Sequence, residues 1–228
     1  MVNGQVSDYK EYGLLTRVYG WMMLGLSLTG LVAYYVASTP KIYTVIFKSY
    51  GLLIGLFLLE LALVFALSFF LNRISGLVAS ILFLAYSFLN GIVLSSIFLV
   101  YTQSSIAVTF IVAAGMFGAM ALYGYFTKSD LSGMKNILFM GLIGLIIAVV
   151  INMFLKSSAF DYVISIFGVI IFALLTAYDM QQIKILGENI IAQGDTAFKA
   201  SIICALKLYL DFINLFLYLL TFFGKKKE

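Results

Sequence analysis

The sequence predicts an all-α membrane protein of seven transmembrane helices, with the last helix at the centre of the bundle. Three observations carry this. Of 228 residues, 63% are hydrophobic and 11% charged, with mean hydropathy +1.09, which is more apolar surface than a water-soluble domain of this size needs. The apolar residues gather in seven runs, each long enough to cross about 30 Å of hydrocarbon as a helix. The runs are continuous, not alternating in blocks of about ten residues, which argues against a β-barrel.

The chain opens with a polar, mixed-charge tail over 1–17. The apolar run after it is too long for a signal-peptide core and lacks a convincing cleavage site, so it reads as the first span. The spans are placed at Val18 to Ala37, Gly51 to Leu71, Leu77 to Val100, Ile106 to Phe126, Ile137 to Leu155, Tyr162 to Ile183 and Ala200 to Phe223. The connections are short, and none can hold a soluble domain. Residues 18–223 are therefore one seven-helix domain, and 224–228 a basic tail. Pro40, the only proline, falls in the first loop. Gly51 and Gly55, then Ser87, Gly91 and Ser95, then Ala114 and Gly118 recur at helix-packing spacing, and are read as points of close helix approach.

Charge bias leaves the orientation of the C-terminus open. With the N-terminus inside, the inner segments hold Lys10, Arg17, Arg73, Lys128, Lys135, Lys184 and Lys199, and the outer ones Lys41, Lys48, Lys156 and the "KKK" of Lys225 to Lys227. A last segment that dipped in and returned would move that tail inside and sharpen the positive-inside bias. Its length favours a full span. The N-terminus is placed in the cytoplasm.

Composition also excludes chemistry. The chain has no histidine, which removes His-based zinc sites, serine–histidine triads and the usual near-neutral proton switch. Cys204 is the only cysteine, so no intrachain disulfide forms. The net charge of +4 comes largely from the terminal lysines, which suit a membrane surface and not nucleic acid. No tightly bound cofactor is expected, and no enzyme.

The informative residues are charges inside apolar segments: Glu60, Asp179, Asp211 and Lys207. An Asp or Lys at the centre of a membrane helix costs about 2.5–3.5 kcal/mol on insertion scales. Such residues face a bundle interior or a wet cavity and mark pathways or relays. In "ALKLYLDFINLFLYLL", Cys204, Lys207, Asp211, Asn214 and Tyr218 fall within an arc of roughly 80°. A helix with one polar stripe belongs at the centre of a bundle. Lys207 and Asp211 are also spaced to pair as i, i+4 neighbours. In "TAYDMQQIK", Thr176, Asp179 and Gln182 share a face. Asp179 lies about 8 Å from the midpoint of its helix and Asp211 close to the midpoint of its own, so a meeting of the two requires offset or tilted helices. Glu60, among leucines, is read as a neutral acid or as the partner of Arg73 or Lys207.

The stretches "VYGWMMLGL", "AGMFGAMALYGYFTKSDLSG", "TAYDMQQIK" and "LYLDFINLFLYLL" resemble the Bax inhibitor-1, or transmembrane BAX inhibitor motif, family, in its bacterial inner-membrane branch. The resemblance spans nearly the whole chain. It implies six helices around a central seventh and a pH-sensitive calcium leak. In that leak, an aspartate of the sixth helix and one of the seventh share a proton. Those positions fall on Asp179 and Asp211, and the second-helix acid falls on Glu60. Together they imply a transient Ca²⁺ and proton path, supported by Glu60, Lys207, Asn214, Thr176 and Gln182. Leak-active members also carry a basic latch at the end of the second helix. An ungapped match puts Leu71 there, with Arg73 two residues on, turned by about 200°.

Other functions compete. A non-transporting regulator of other membrane proteins, such as a protease complex, fits the same composition. An intramembrane aspartyl protease matches at "YD" (Tyr178 and Asp179) but lacks the glycines expected before the second aspartate, where the chain reads "LYLD". A retinal protein would need the lysine and aspartate of the last helix in the reverse order.

Overall fold

The computed structural model describes the backbone of residues 2–70, 73–189 and 195–227, and the side chains of 13–49, 51–70, 73–188 and 196–227. Within these residues the helices are α1 (Val2–Ala37), α2 (Pro40–Lys48), α3 (Tyr50–Phe70), α4 (Gly76–Leu94), α5 (Ile97–Val100), α6 (Gln103–Phe126), α7 (Lys135–Leu155), α8 (Ser158–Asn189) and α9 (Asp195–Phe223). Seven stretches are long and apolar enough to cross a membrane. All seven coincide with the expected spans to within a turn or two, and the protein is an all-α membrane protein.

Three local features depart from the sequence reading. The polar tail does not precede the first helix but continues it, since α1 begins at Val2. The first loop is mostly a helix of its own. Pro40 sits in its first turn, where a missing N–H costs nothing. The third span is interrupted after Leu94. Ser95 and Ser96 each return a hydroxyl to the carbonyl three residues back, competing with the helix ladder and separating α5 from α4.

The chain divides into two compact units. The first holds Met1–Tyr101 and Gly187–Tyr209, and the second Thr102–Leu186 and Leu210–Lys226. In the first, α1 packs along α4. A Cβ at Gly91 would lie 2.7 Å from the Thr29 carbonyl oxygen, and one at Gly25 2.7 Å from the Phe83 ring. Close approach at Gly91 was expected from its spacing. Gly55 and Gly118 meet nothing within 4 Å, and Gly51 only Ser49 Oγ, so their spacing does not mark contacts. In the second unit the close approaches are instead at Gly124, against the Ala177 backbone, and at Gly168, against the Tyr218 ring.

The last span is the most enclosed. Two thirds (67%) of its membrane window is buried, against 6–44% for the others. Its residues up to Tyr209 belong to the first unit and those from Leu210 to the second. The chain end is anchored. Thr102 N–H donates to the Lys225 carbonyl at 3.0 Å, and Lys225 N–H to Ser105 Oγ at 2.8 Å. The basic tail therefore lies at the end of the molecule that carries the loop between the third and fourth spans, which is what a full seventh span requires. A phosphatase reporter on the C-terminus should map opposite to one on the N-terminus. Both ends on one side would sink the seven-span topology.

Candidate functional site

The site is built in the second unit from α6, α8 and α9. Helix α8 holds Asp179 with 9% of its surface exposed, and α9 holds Asp211 with 5%. These are the two nearly buried carboxylates among the described residues. Their helices run antiparallel. The Tyr162 ring stacks on Phe222 with centroids 4.6 Å apart, and Phe172 stacks on Tyr218 at 5.8 Å. The Tyr218 ring also fills the space a Cβ would need at Gly168.

That register bears directly on the aspartates. Asp179 lies seven residues beyond Phe172, and Asp211 seven residues before Tyr218. Seven residues are close to two helical turns, so each aspartate shares the face of its aromatic neighbour. The Phe172–Tyr218 stack sets Asp179 level with Asp211 itself. The Gly168–Tyr218 contact sets it level with a position four residues earlier on α9. The two aspartates thus stand within about one turn, roughly 6 Å, of each other along the axes. The helix offset that the sequence demanded is supplied by the ring contacts.

Other residues hold this frame. Thr176, fully buried, gives its hydroxyl to the Phe172 carbonyl at 2.8 Å. Asn214 gives Nδ2 to the Leu210 carbonyl at 2.8 Å. Phe212, next to Asp211, is held edge-on by Phe110 at 5.3 Å and Phe117 at 5.6 Å, both on α6. Gln182 has a buried Nε2 with no hydrogen-bond partner among the described residues. Its neighbour Gln181 is the structural one, and the sequence reading missed it. Gln181 Nε2 donates to the Ser129 carbonyl, and its Oε1 accepts from Leu131 N–H, both at 2.8 Å. Lys184 reaches the Tyr125 carbonyl at 3.1 Å and lies over the Tyr125 ring. The C-terminal end of α8 is thereby tied to the end of α6 and the loop after it. Just outside the spans, Asp130 accepts from Ser132, which holds its carboxyl below the usual range.

The remaining predicted residues are less buried than the two aspartates. Lys207 is exposed, while its helical neighbours Leu206 and Leu208 are buried. The stripe from Cys204 to Tyr218 is therefore not a uniformly inward face. Helix α9 is enclosed around most of its girth, so an exposed position on it is the exception. Arg73 is exposed beyond the end of α3, and Leu71, the alternative latch position, lies outside the described residues. Glu60 is half-buried in the first unit and forms no ion pair there among the described residues, so of its two readings, neutral acid or partner of Arg73 or Lys207, the pairing is not seen. Instead the Asn90 carboxamide reaches it. Asn90 Nδ2 donates to Tyr86 Oη at 3.3 Å.

A second polar chain, also missed, runs beside this group. Thr29 Oγ1 donates to the Ser87 carbonyl at 2.8 Å and lies 2.6 Å from Tyr209 Oη. Thr29 has only one proton to give, so Tyr209 is the donor in that pair. The i, i+4 spacing of Tyr86 and Asn90 was a readable signal, masked by the small residues around it.

Fold and site together define a polytopic membrane protein with a pair of enclosed carboxylates on its last two helices. The family model described as "Inhibitor of apoptosis-promoting Bax1" matches residues 12–228, and the chain belongs to this Bax inhibitor-1 family. It is 51% identical to the inner membrane protein YbhL of Escherichia coli K12, over 93% of this chain and 92% of that one. It is 46% identical to an uncharacterized protein of Borreliella burgdorferi, over 94% and 92%. An uncharacterized membrane protein of Streptococcus pyogenes serotype M1 is 35% identical over 96% and 95%.

Proposed function

We propose that this protein is a pH-sensitive Ca²⁺ leak of the bacterial inner membrane, gated by Asp179 and Asp211 acting on one shared proton. The observation that carries the reading is the matched level of two nearly buried carboxylates on antiparallel membrane helices. Charges are retained at such depth where they serve a pathway. Ca²⁺ takes about six to eight oxygen ligands. Two carboxylates with nearby amide and hydroxyl oxygens offer fewer, which suits transit better than storage. Ca²⁺ and protons are thus substrates of the path.

Purified protein in liposomes should move Ca²⁺ by itself, at a rate that changes with pH. No flux above that of empty liposomes would remove the leak and favour a regulator of other membrane proteins.

A further inference from the structure

Helices α7 and α8 leave between them a cleft of two parts. The first is an apolar cavity of about 320 Å³, lined on α7 by Gly141, Gly144 and Ala148 and on α8 by Val163, Ile164 and Phe167. Small residues on α7 open it. A Cβ at Gly144 would meet nothing within 4 Å. The second is a polar cavity of about 500 Å³ at the ends of the same two helices, lined by Asn152, Lys156, Ser158, Asp161 and Lys226. The two are neighbours along the same helices. Ala148 and Val149 are consecutive on α7, as are Phe160 and Asp161 on α8, and each pair is split between the cavities.

The polar end has the charge of an anion site. Lys156 closes α7 in the left-handed region, at φ 49°, where glycine is the usual residue. Lys226 comes from the anchored tail. Among the described residues neither lysine forms an ion pair. Asp161 is engaged by Asn152 Nδ2. Two cations against one carboxylate leave a single net positive charge, which one phosphodiester matches. Helix α8 begins at Ser158, and its N-terminus adds to the attraction.

We propose that this cleft binds one anionic phospholipid, with its phosphate between Lys156 and Lys226 and one acyl chain along Gly141, Gly144 and Ala148. A free phosphate would use only the polar end. The apolar part lies within the spanning segments, with Gly144, Val163 and Phe167 exposed, and the lysines lie at the helix ends, where headgroups reside.

The test is the thermal stability of the full chain in detergent with added phosphatidylglycerol, phosphatidylcholine or inorganic phosphate. Phosphatidylglycerol should raise Tm by about 5 °C more than phosphatidylcholine. The double variant Lys156→Gln and Lys226→Gln should lose that preference. Gly144→Leu, which fills the apolar part, should lose the stabilisation by either lipid. Equal shifts with both lipids, a preference surviving in the double variant, or the full shift with inorganic phosphate would each overturn the proposal.

Discussion

Asparagine at position 179 or 211 should flatten the pH dependence of Ca²⁺ flux, and asparagine at both should add little more. The substitution keeps shape and polarity but removes the titrating proton. Two carboxylates brought within hydrogen-bond reach in a low-dielectric interior cannot both ionise cheaply, so they hold one proton between them. Such a bridge would tie α8 to α9 at the level their stacked rings define. Its gain or loss shifts the balance between closed and open arrangements. A switch on one proton changes the ratio of its two states about tenfold per pH unit. Without that proton, the slope should fall towards zero. The decisive feature is non-additivity, since either variant already destroys the shared site. Additive effects of the two asparagines, or unaltered profiles in both, would show that the residues are not one switch.

The seven spans were legible because their signal is one of composition. About 20 apolar residues in a row leave a chain little choice in a bilayer. Asp179 and Asp211 were legible for the same reason, since a carboxylate among leucines is expensive enough to stand out. The offset that levels them was not. It depends on where the Tyr218 ring docks against Gly168 and Phe172, and periodicity along one helix says nothing about register with another. Gly91 apart, the glycine contacts were not legible, for a related cause. Gly118 and Gly124 look alike in sequence, yet only Gly124 faces a neighbouring backbone. The polar group of Glu60, Asn90 and Tyr86 was half visible: its acid stood out, but its amide and phenol did not. Neutral polar side chains cost far less in a membrane than charges do, so they do not announce themselves.

Gly124→Ala should be among the most damaging small substitutions in the chain. A Cβ there would overlap the Ala177 carbonyl oxygen and lie 2.8 Å from its carbon. Both atoms are backbone, so no rotamer change relieves the overlap. Helix α6 or α8 must retreat by more than 1 Å to reach ordinary contact near 3.4 Å. The helices resist this. Lys184 holds the carbonyl of Tyr125, the next residue on α6, and Phe117 on the same helix packs against Phe212. Overpacking of this kind costs about 1–3 kcal/mol, set against a gain of about 1 kcal/mol in helix propensity. Gly118→Ala is the matched control: it has the same propensity gain and no neighbour within 4 Å. The unfolding midpoint in mixed micelles should fall for Gly124→Ala and stay level or rise for Gly118→Ala. Ala177 lies two residues before Asp179, so the retreat of α8 would also move that aspartate relative to α9. Folded Gly124→Ala should therefore show a weakened pH response, while Gly118→Ala keeps it. Equal stability and equal pH response in the two variants would show that the α6–α8 contact does not set the position of the carboxylates.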